Sequence, residues 1–212
     1  MVVAFQKEPV RSDFAGGMSR FLAAAARAYG VHDSAMGVSL AAALTRGASI
    51  PCRPDPIEVP ACRHIATIVE AENWSDAGLK ADLVPLLSGL PWHAQVAARI
   101  APGFDRCYGA AEILGPTGMI FAEDCRFGLF LLAPDVYYPP HAHEAEELYL
   151  VLSGTAKWLS AGGEELRLSP GKFAHHRPWQ RHATRSGSAP LLATWAWSGN
   201  LDFGTYRIEA SG

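Results

Sequence analysis

The 212-residue sequence predicts a mainly β protein, in which a small C-terminal β-barrel or jelly-roll follows an α-helical N-terminal region. Strong helix formers dominate residues 18 to 98. After Pro102, short runs rich in Val, Leu, Tyr, Trp and Thr alternate with Gly and Pro at strand-plus-turn intervals. Hydrophobic residues at 49% against 18% charged leave ample apolar material for a packed core and rule out wholesale disorder. The expected division is a helical region over 1–101 and a barrel over 102–212.

Taken in order, Met18–Tyr29 is rich in alanine and leucine and ends at Gly30, a natural helix stop. Asp33 or Ser34 can cap a second helix running to about Arg46, with Gly47 after it. Pro51, Pro54, Pro56 and Pro60 then enforce an extended connector. Helices are expected over about Ala61–Glu72, Ser75–Leu87 and Trp92–Ala98, and Trp74 and Trp92 are read as lying in helices, as core or lid residues. The strand candidates include Gly128–Leu132, Glu147–Leu152, Thr155–Trp158, Lys172–His176 and Leu191–Trp197.

Composition also excludes functions. Eighteen Lys+Arg against 21 Asp+Glu leave a net charge of −3, without the basic excess a phosphate backbone demands, so no nucleic-acid partner is expected. No apolar run is long enough to span a membrane. The opening Met1–Glu8 places acid and base too early for a secretory signal. Cys52, Cys62, Cys107 and Cys125 form no C-x-x-C pair and read as reduced thiols, which together suggest a cytoplasmic protein.

Three histidines, His32, His64 and His93, stand alone in the helical half and read as surface or capping residues. The other five fall between positions 141 and 182. Residues two apart on a strand share a face, so one strand could present His141, His143, Glu147 and Tyr149 together. Leu148, Leu150 and Leu152 would then point away, toward a second sheet or a partner subunit. Two imidazoles and a carboxylate converging inside a barrel make most of a divalent-metal site. The remaining ligand should come from a neighbouring strand, where His175, His176 and His182 are the candidates.

The string H-x-H-x₃-E-x₆-G, at His141, His143, Glu147 and Gly154, resembles the first cupin motif at full spacing. Pro170-Gly171 followed by His182 resembles the second, without its usual terminal Asn. The resemblance implies a cupin barrel in which His182 is the fourth ligand of one divalent transition metal ion: zinc, iron, manganese, nickel or cobalt. Of the two earlier histidines, one is then a pocket residue, and His176 is assigned to substrate contact.

Tyr149 two residues after Glu147, Tyr138 ahead of Pro-Pro-His, and Pro178-Trp179 ahead of His182 narrow the likeness. With a helical region before a single barrel, they resemble the cupin-type dimethylsulfoniopropionate lyases of marine bacteria. That family eliminates dimethyl sulfide from a zwitterion to leave acrylate. The implied roles are Lewis-acid stabilisation of an enolate-like charge by the metal and general-base catalysis by Tyr149. Tyr149 also suits that role by its place on the metal-facing side of the strand. A sulfonium has no hydrogen to donate and favours aromatic faces. Tyr138, Trp179, Trp195 and Trp197 are the expected substrate contacts, with Tyr137 replacing Tyr138 if the chain bends before Pro139. A homodimer through the helical half is compatible with the pattern. The same ligands would also serve a cupin dioxygenase or isomerase, and a non-enzymatic sensor or storage cupin is the third class.

Overall fold

Helices come first and strands second along the chain in the computed structural model, which describes residues 13–160 and 163–209. The opening segment read above for a secretory signal lies outside the described residues. Helix α1 (Phe14–Gly30) starts ahead of its alanine-rich stretch because the Asp13 carboxylate accepts the Gly16 N–H at 3.0 Å. Ser34 does the same for α2 (Ala35–Gly47), accepting from Gly37 at 3.0 Å. A 3₁₀ turn over Pro60–His64 leads into α3 (Ile65–Glu70), and Asp76 caps α4 (Ala77–Leu83). No helix among the described residues is long and apolar enough to cross a membrane.

The expected helix over Trp92–Ala98 is not formed. His93 instead pairs with Ala110 through two backbone hydrogen bonds of 2.7 and 2.9 Å, and only the short α5 (Ala97–Ile100) is helical. Pro91 forces the preceding residue into extended backbone, and a neighbouring strand then satisfies the N–H and C=O groups that a helix would have used. Trp74 likewise lies in an isolated bridge to Ser153, not in a helix, while Trp92 is buried with its indole N–H donating to the Leu87 carbonyl.

Eleven strands follow among the described residues: β1 (Tyr108–Gly115), β2 (Ile120–Phe121), β3 (Arg126–Leu132), β4 (Tyr137–Ala142), β5 (Glu146–Ser153) and β6 (Ala156–Ser160), then β7 (Glu165–Leu168), β8 (Phe173–His176), β9 (His182–Ser186), β10 (Leu191–Ser198) and β11 (Arg207–Ile208). They make a six-stranded sheet ordered β2-β1-β3-β10-β5-β8 and a five-stranded sheet ordered β11-β4-β9-β6-β7. Gly154 follows β5 with φ +82°, and a Cβ there would lie 2.3 Å from the Pro190 carbonyl oxygen, so this motif glycine is required by both conformation and space.

Strand β5 divides the core. Leu148, Leu150 and Leu152 join Phe21, Leu22 and Leu44 of the helices in one apolar cluster, whereas Tyr149 and Val151 join Trp195 and Trp197 in another. The leucine face therefore meets α1 and α2 of the same chain, not the second sheet or a partner as expected. The Tyr29 hydroxyl, 2.6 Å from the Thr194 hydroxyl, ties α1 to β10. Leu22→Ala, at a fully buried position, should cost about 2–5 kcal/mol in urea unfolding. Val31→Ala, on the surface at 83% exposure, should change stability by less than about 0.5 kcal/mol.

Candidate metal centre and its cavity

His141 lies near the end of β4, Glu147 on β5 and His182 at the start of β9, while His143 occupies the turn between β4 and β5. The expectation that one strand carries His141 through Tyr149 is thus corrected. β4 and β5 belong to different sheets, and the chain crosses between them at residues 143–145. The odd-number pattern survives because each strand keeps its own alternation and both inner faces line one interior. Register brings in the distant member: His141 pairs directly with His182 across β4 and β9.

All four side chains are buried, and one ligand atom from each lies within 4.8 Å of every other. Each imidazole is oriented in the same way. Nδ1 of His141, His143 and His182 faces the backbone carbonyls of Pro139, Ala145 and Gln180 at 2.8, 3.0 and 2.7 Å. A carbonyl can only accept, so Nδ1 carries the proton and Nε2 is the atom left to bind. Nε2 of His141 and of His182 is buried without a hydrogen-bond partner. Glu147 Oε2 sits 3.0 Å from Nε2 of both His143 and His182, and Oε1 accepts the Trp197 indole N–H at 2.8 Å. Three bare imidazole nitrogens and a carboxylate, with orphaned buried atoms among them, fit a divalent transition metal ion.

The electrostatics agree. Burial works to raise the Glu147 carboxyl, but the adjoining His143 and His182 hold it well below the usual carboxylate range. Burial, reinforced by His182, keeps His141 neutral well below the ordinary imidazole range. His176, stacked on His182 with ring centroids 3.9 Å apart, has neither nitrogen hydrogen-bonded and is pushed down to about 3, first by burial and then by His182. His175, by contrast, is partly exposed and reaches Glu146 at 2.7 Å. The unfolded chain therefore takes up protons below roughly pH 6.5 that the folded His141 and His176 refuse. Stability from their neutral burial is complete above that pH and falls as the pH drops through it. Thermal melts of chelator-treated protein should show a lower midpoint at pH 5 than at pH 7.

A cavity of about 130 Å³ adjoins Glu147. Its walls include Tyr108, Phe130, Tyr138, Tyr149, Trp195 and Trp197. Tyr138 is buried, with its hydroxyl 2.6 Å from that of Tyr206, whereas Tyr137 lies outside under the Arg185 guanidinium. Trp179 is not part of the wall. It is half exposed at 50%, in the turn between β8 and β9, with φ +59° and its backbone N–H on the His143 carbonyl at 2.7 Å. Its ring, expected as a substrate contact, lies at the surface here, and its backbone braces His143. Burial, then the Glu147 carboxylate, pushes the Tyr149 phenol well above its ordinary value.

Several wall residues escaped the sequence reading. Tyr206 stacks on His141 with centroids 5.1 Å apart, and Phe203 stands 4.8 Å from the Trp197 ring centroid. Both ride on the C-terminal segment, which Arg126 anchors: its Nε donates to the Leu201 carbonyl at 2.9 Å and its cation lies over Phe203. That arginine is itself buried against Glu112 at 2.7 Å. His93, read as a surface or capping residue, and Arg99 also line the cavity. No local spacing marks any of these, since each reaches the cavity from an element remote in sequence.

A family model described as dimethylsulfoniopropionate lyase matches residues 39–193. The chain belongs to the dimethylsulfoniopropionate lyase family. Dimethylsulfoniopropionate lyase DddQ of Ruegeria pomeroyi is 30% identical over 105 residues, covering 50% of this chain and 52% of that protein, so the match spans about half the length of DddQ. DddL of Cereibacter sphaeroides, to which the same activity is provisionally attributed, is 28% identical over 165 residues, or 76% of this chain and 68% of DddL. The fold of this family member matches the crystal structure of DddQ from Ruegeria pomeroyi, with a TM-score of 0.69 and 23% identity over 90% of this chain and 95% of that one. A chain from the crystal structures of the lyases RdDddP and RnDddQII gives 0.68 and 22%, over 92% of this chain and 99% of its own. Barrel and helical cap together are thus the family's cupin architecture.

Proposed function

We propose that this family member is a metal-dependent lyase that eliminates dimethyl sulfide from dimethylsulfoniopropionate to leave acrylate. The observation that carries the reading is the convergence of three buried, inward-facing Nε2 atoms and one carboxylate beside an aromatic cavity with tyrosine hydroxyls in its wall. His141, His143, Glu147 and His182 would hold the ion. A divalent ion bound there, whether zinc, iron, manganese, nickel or cobalt, would supply Lewis-acid stabilisation of the substrate carboxylate and favour a nearby phenolate.

Tyr149 is the general base. It follows Glu147 by two residues on the inner face of β5, so its phenol and the ligand carboxylate share one side. Its phenolate removes the proton next to the carboxylate, the C–H electron pair becomes the new C=C bond, and the C–S pair leaves with sulfur as neutral dimethyl sulfide. Tyr138, Trp195 and Trp197 offer π faces to the sulfonium, each contact contributing about 0.5–2 kcal/mol. Both indole N–H groups are already committed, to Leu129 and to Glu147, so their rings cannot turn freely. His176 sits behind His182 and beside Tyr149, with ring centroids 6.2 Å apart, where it can face the substrate.

The test is headspace detection of dimethyl sulfide from purified, metal-loaded protein given dimethylsulfoniopropionate. Equal amounts of dimethyl sulfide and acrylate are expected. No gas release would overturn the reading, and oxygen uptake with a catechol or thiol substrate would point to a dioxygenase.

A further inference from the structure

We infer that Arg99 sets charge selection at the opening of the cavity, admitting small zwitterions and turning away onium cations that lack a carboxylate. The substrate's identity rests on the lyase reading, but the selection itself does not. Inside, the cavity is built from aromatic faces around the Glu147 carboxylate. Such a lining attracts any small quaternary ammonium or sulfonium ion through its π faces, whether or not a carboxylate is attached. The aromatic wall alone therefore cannot separate a zwitterion from a choline-like cation.

Arg99 adds discrimination at the opening, before a ligand reaches the centre. It is the single lysine or arginine among the described residues lining this cavity, and it is exposed, which places it between cavity and solvent. It is also held in place: Nη2 donates to the Tyr206 carbonyl at 2.8 Å, and the guanidinium lies 5.6 Å from the centroid of the Tyr206 ring. Among the described residues no carboxylate forms an ion pair with it, so its charge stays available to an incoming ligand. A molecule whose only charge is an onium meets repulsion. In a zwitterion the same repulsion is offset by attraction to the carboxylate, whichever end enters first. A partly solvated charge acts modestly, so the effect on relative affinity should be about five-fold.

The experiment titrates metal-loaded protein with glycine betaine and with choline, which share a trimethylammonium group and differ in the carboxylate, by calorimetry. Arg99→Gln should lower the betaine-to-choline affinity ratio by about five-fold, mainly by tightening choline. Arg99→Lys should keep the ratio within about two-fold of wild type, and raising the salt concentration should narrow the ratio in wild type but not in Arg99→Gln. An unchanged ratio in a folded Arg99→Gln variant, or an equal loss in Arg99→Lys, overturns the inference, as does failure of wild type to bind betaine. Absence of dimethyl sulfide release by wild type would sink the lyase reading while leaving this ratio measurable.

Discussion

Glu147→Ala and His182→Ala are each expected to empty the metal centre and to lower dimethyl sulfide release by more than about 100-fold. Groups that only orient a ligand typically contribute 10–100-fold to affinity or activity, and these two supply ligand atoms themselves. Trp197→Phe gives the internal scale. It removes the indole N–H that Glu147 Oε1 accepts at 2.8 Å while keeping an aromatic ring, so its metal affinity should drop by about 10–100-fold. Metal content after dialysis, measured beside activity, separates the two classes. An alanine variant that keeps both its ion and its rate would remove Glu147 or His182 from the centre. Because Glu147 Oε2 lies 3.0 Å from Nε2 of both His143 and His182, its loss also removes the one carboxylate that faces both imidazoles.

Tyr149→Phe should retain the ion and lose activity by about 10²–10⁴-fold, the range contributed by a positioned acid–base group. The comparison that makes this informative is Tyr138→Phe. Tyr138 lines the same cavity, but its hydroxyl is engaged with Tyr206 at 2.6 Å, and its ring stacks against Tyr108 with centroids 5.5 Å apart. Its removal should weaken substrate binding more than turnover. Single-turnover rates with metal content held constant would reverse the assignment if Tyr138→Phe stopped the chemistry and Tyr149→Phe did not. Without a cation beside it neither phenol ionises readily: burial pushes both up and Glu147 adds to it, against a smaller lowering of Tyr138 by its hydrogen bond to Tyr206. Removing the ion with a chelator should therefore abolish activity even where substrate still binds.

Legible in the chain before any folding were the order of helices before barrel, a helix start at Asp33 or Ser34, the motif glycine Gly154, and the histidine and glutamate pattern that the family resemblance turned into four candidate donors. Those features are local. Caps, turns and strand alternation depend on neighbours within a few residues, so spacing alone carries them. The same alternation set Leu148 apart from Tyr149, although it did not say that the leucines would meet α1 and α2. Three outcomes needed the folded chain: His141 and Glu147 lie in different sheets, Pro91-Trp92-His93 joins a strand in place of a helix, and Trp179 braces the His143 carbonyl from outside. The tertiary structure alone brought Tyr206, Phe203 and Arg99 to the cavity. These outcomes depend on which strands become neighbours and on where a buried backbone finds its hydrogen bonds, and that competition is settled across more than a hundred residues of chain.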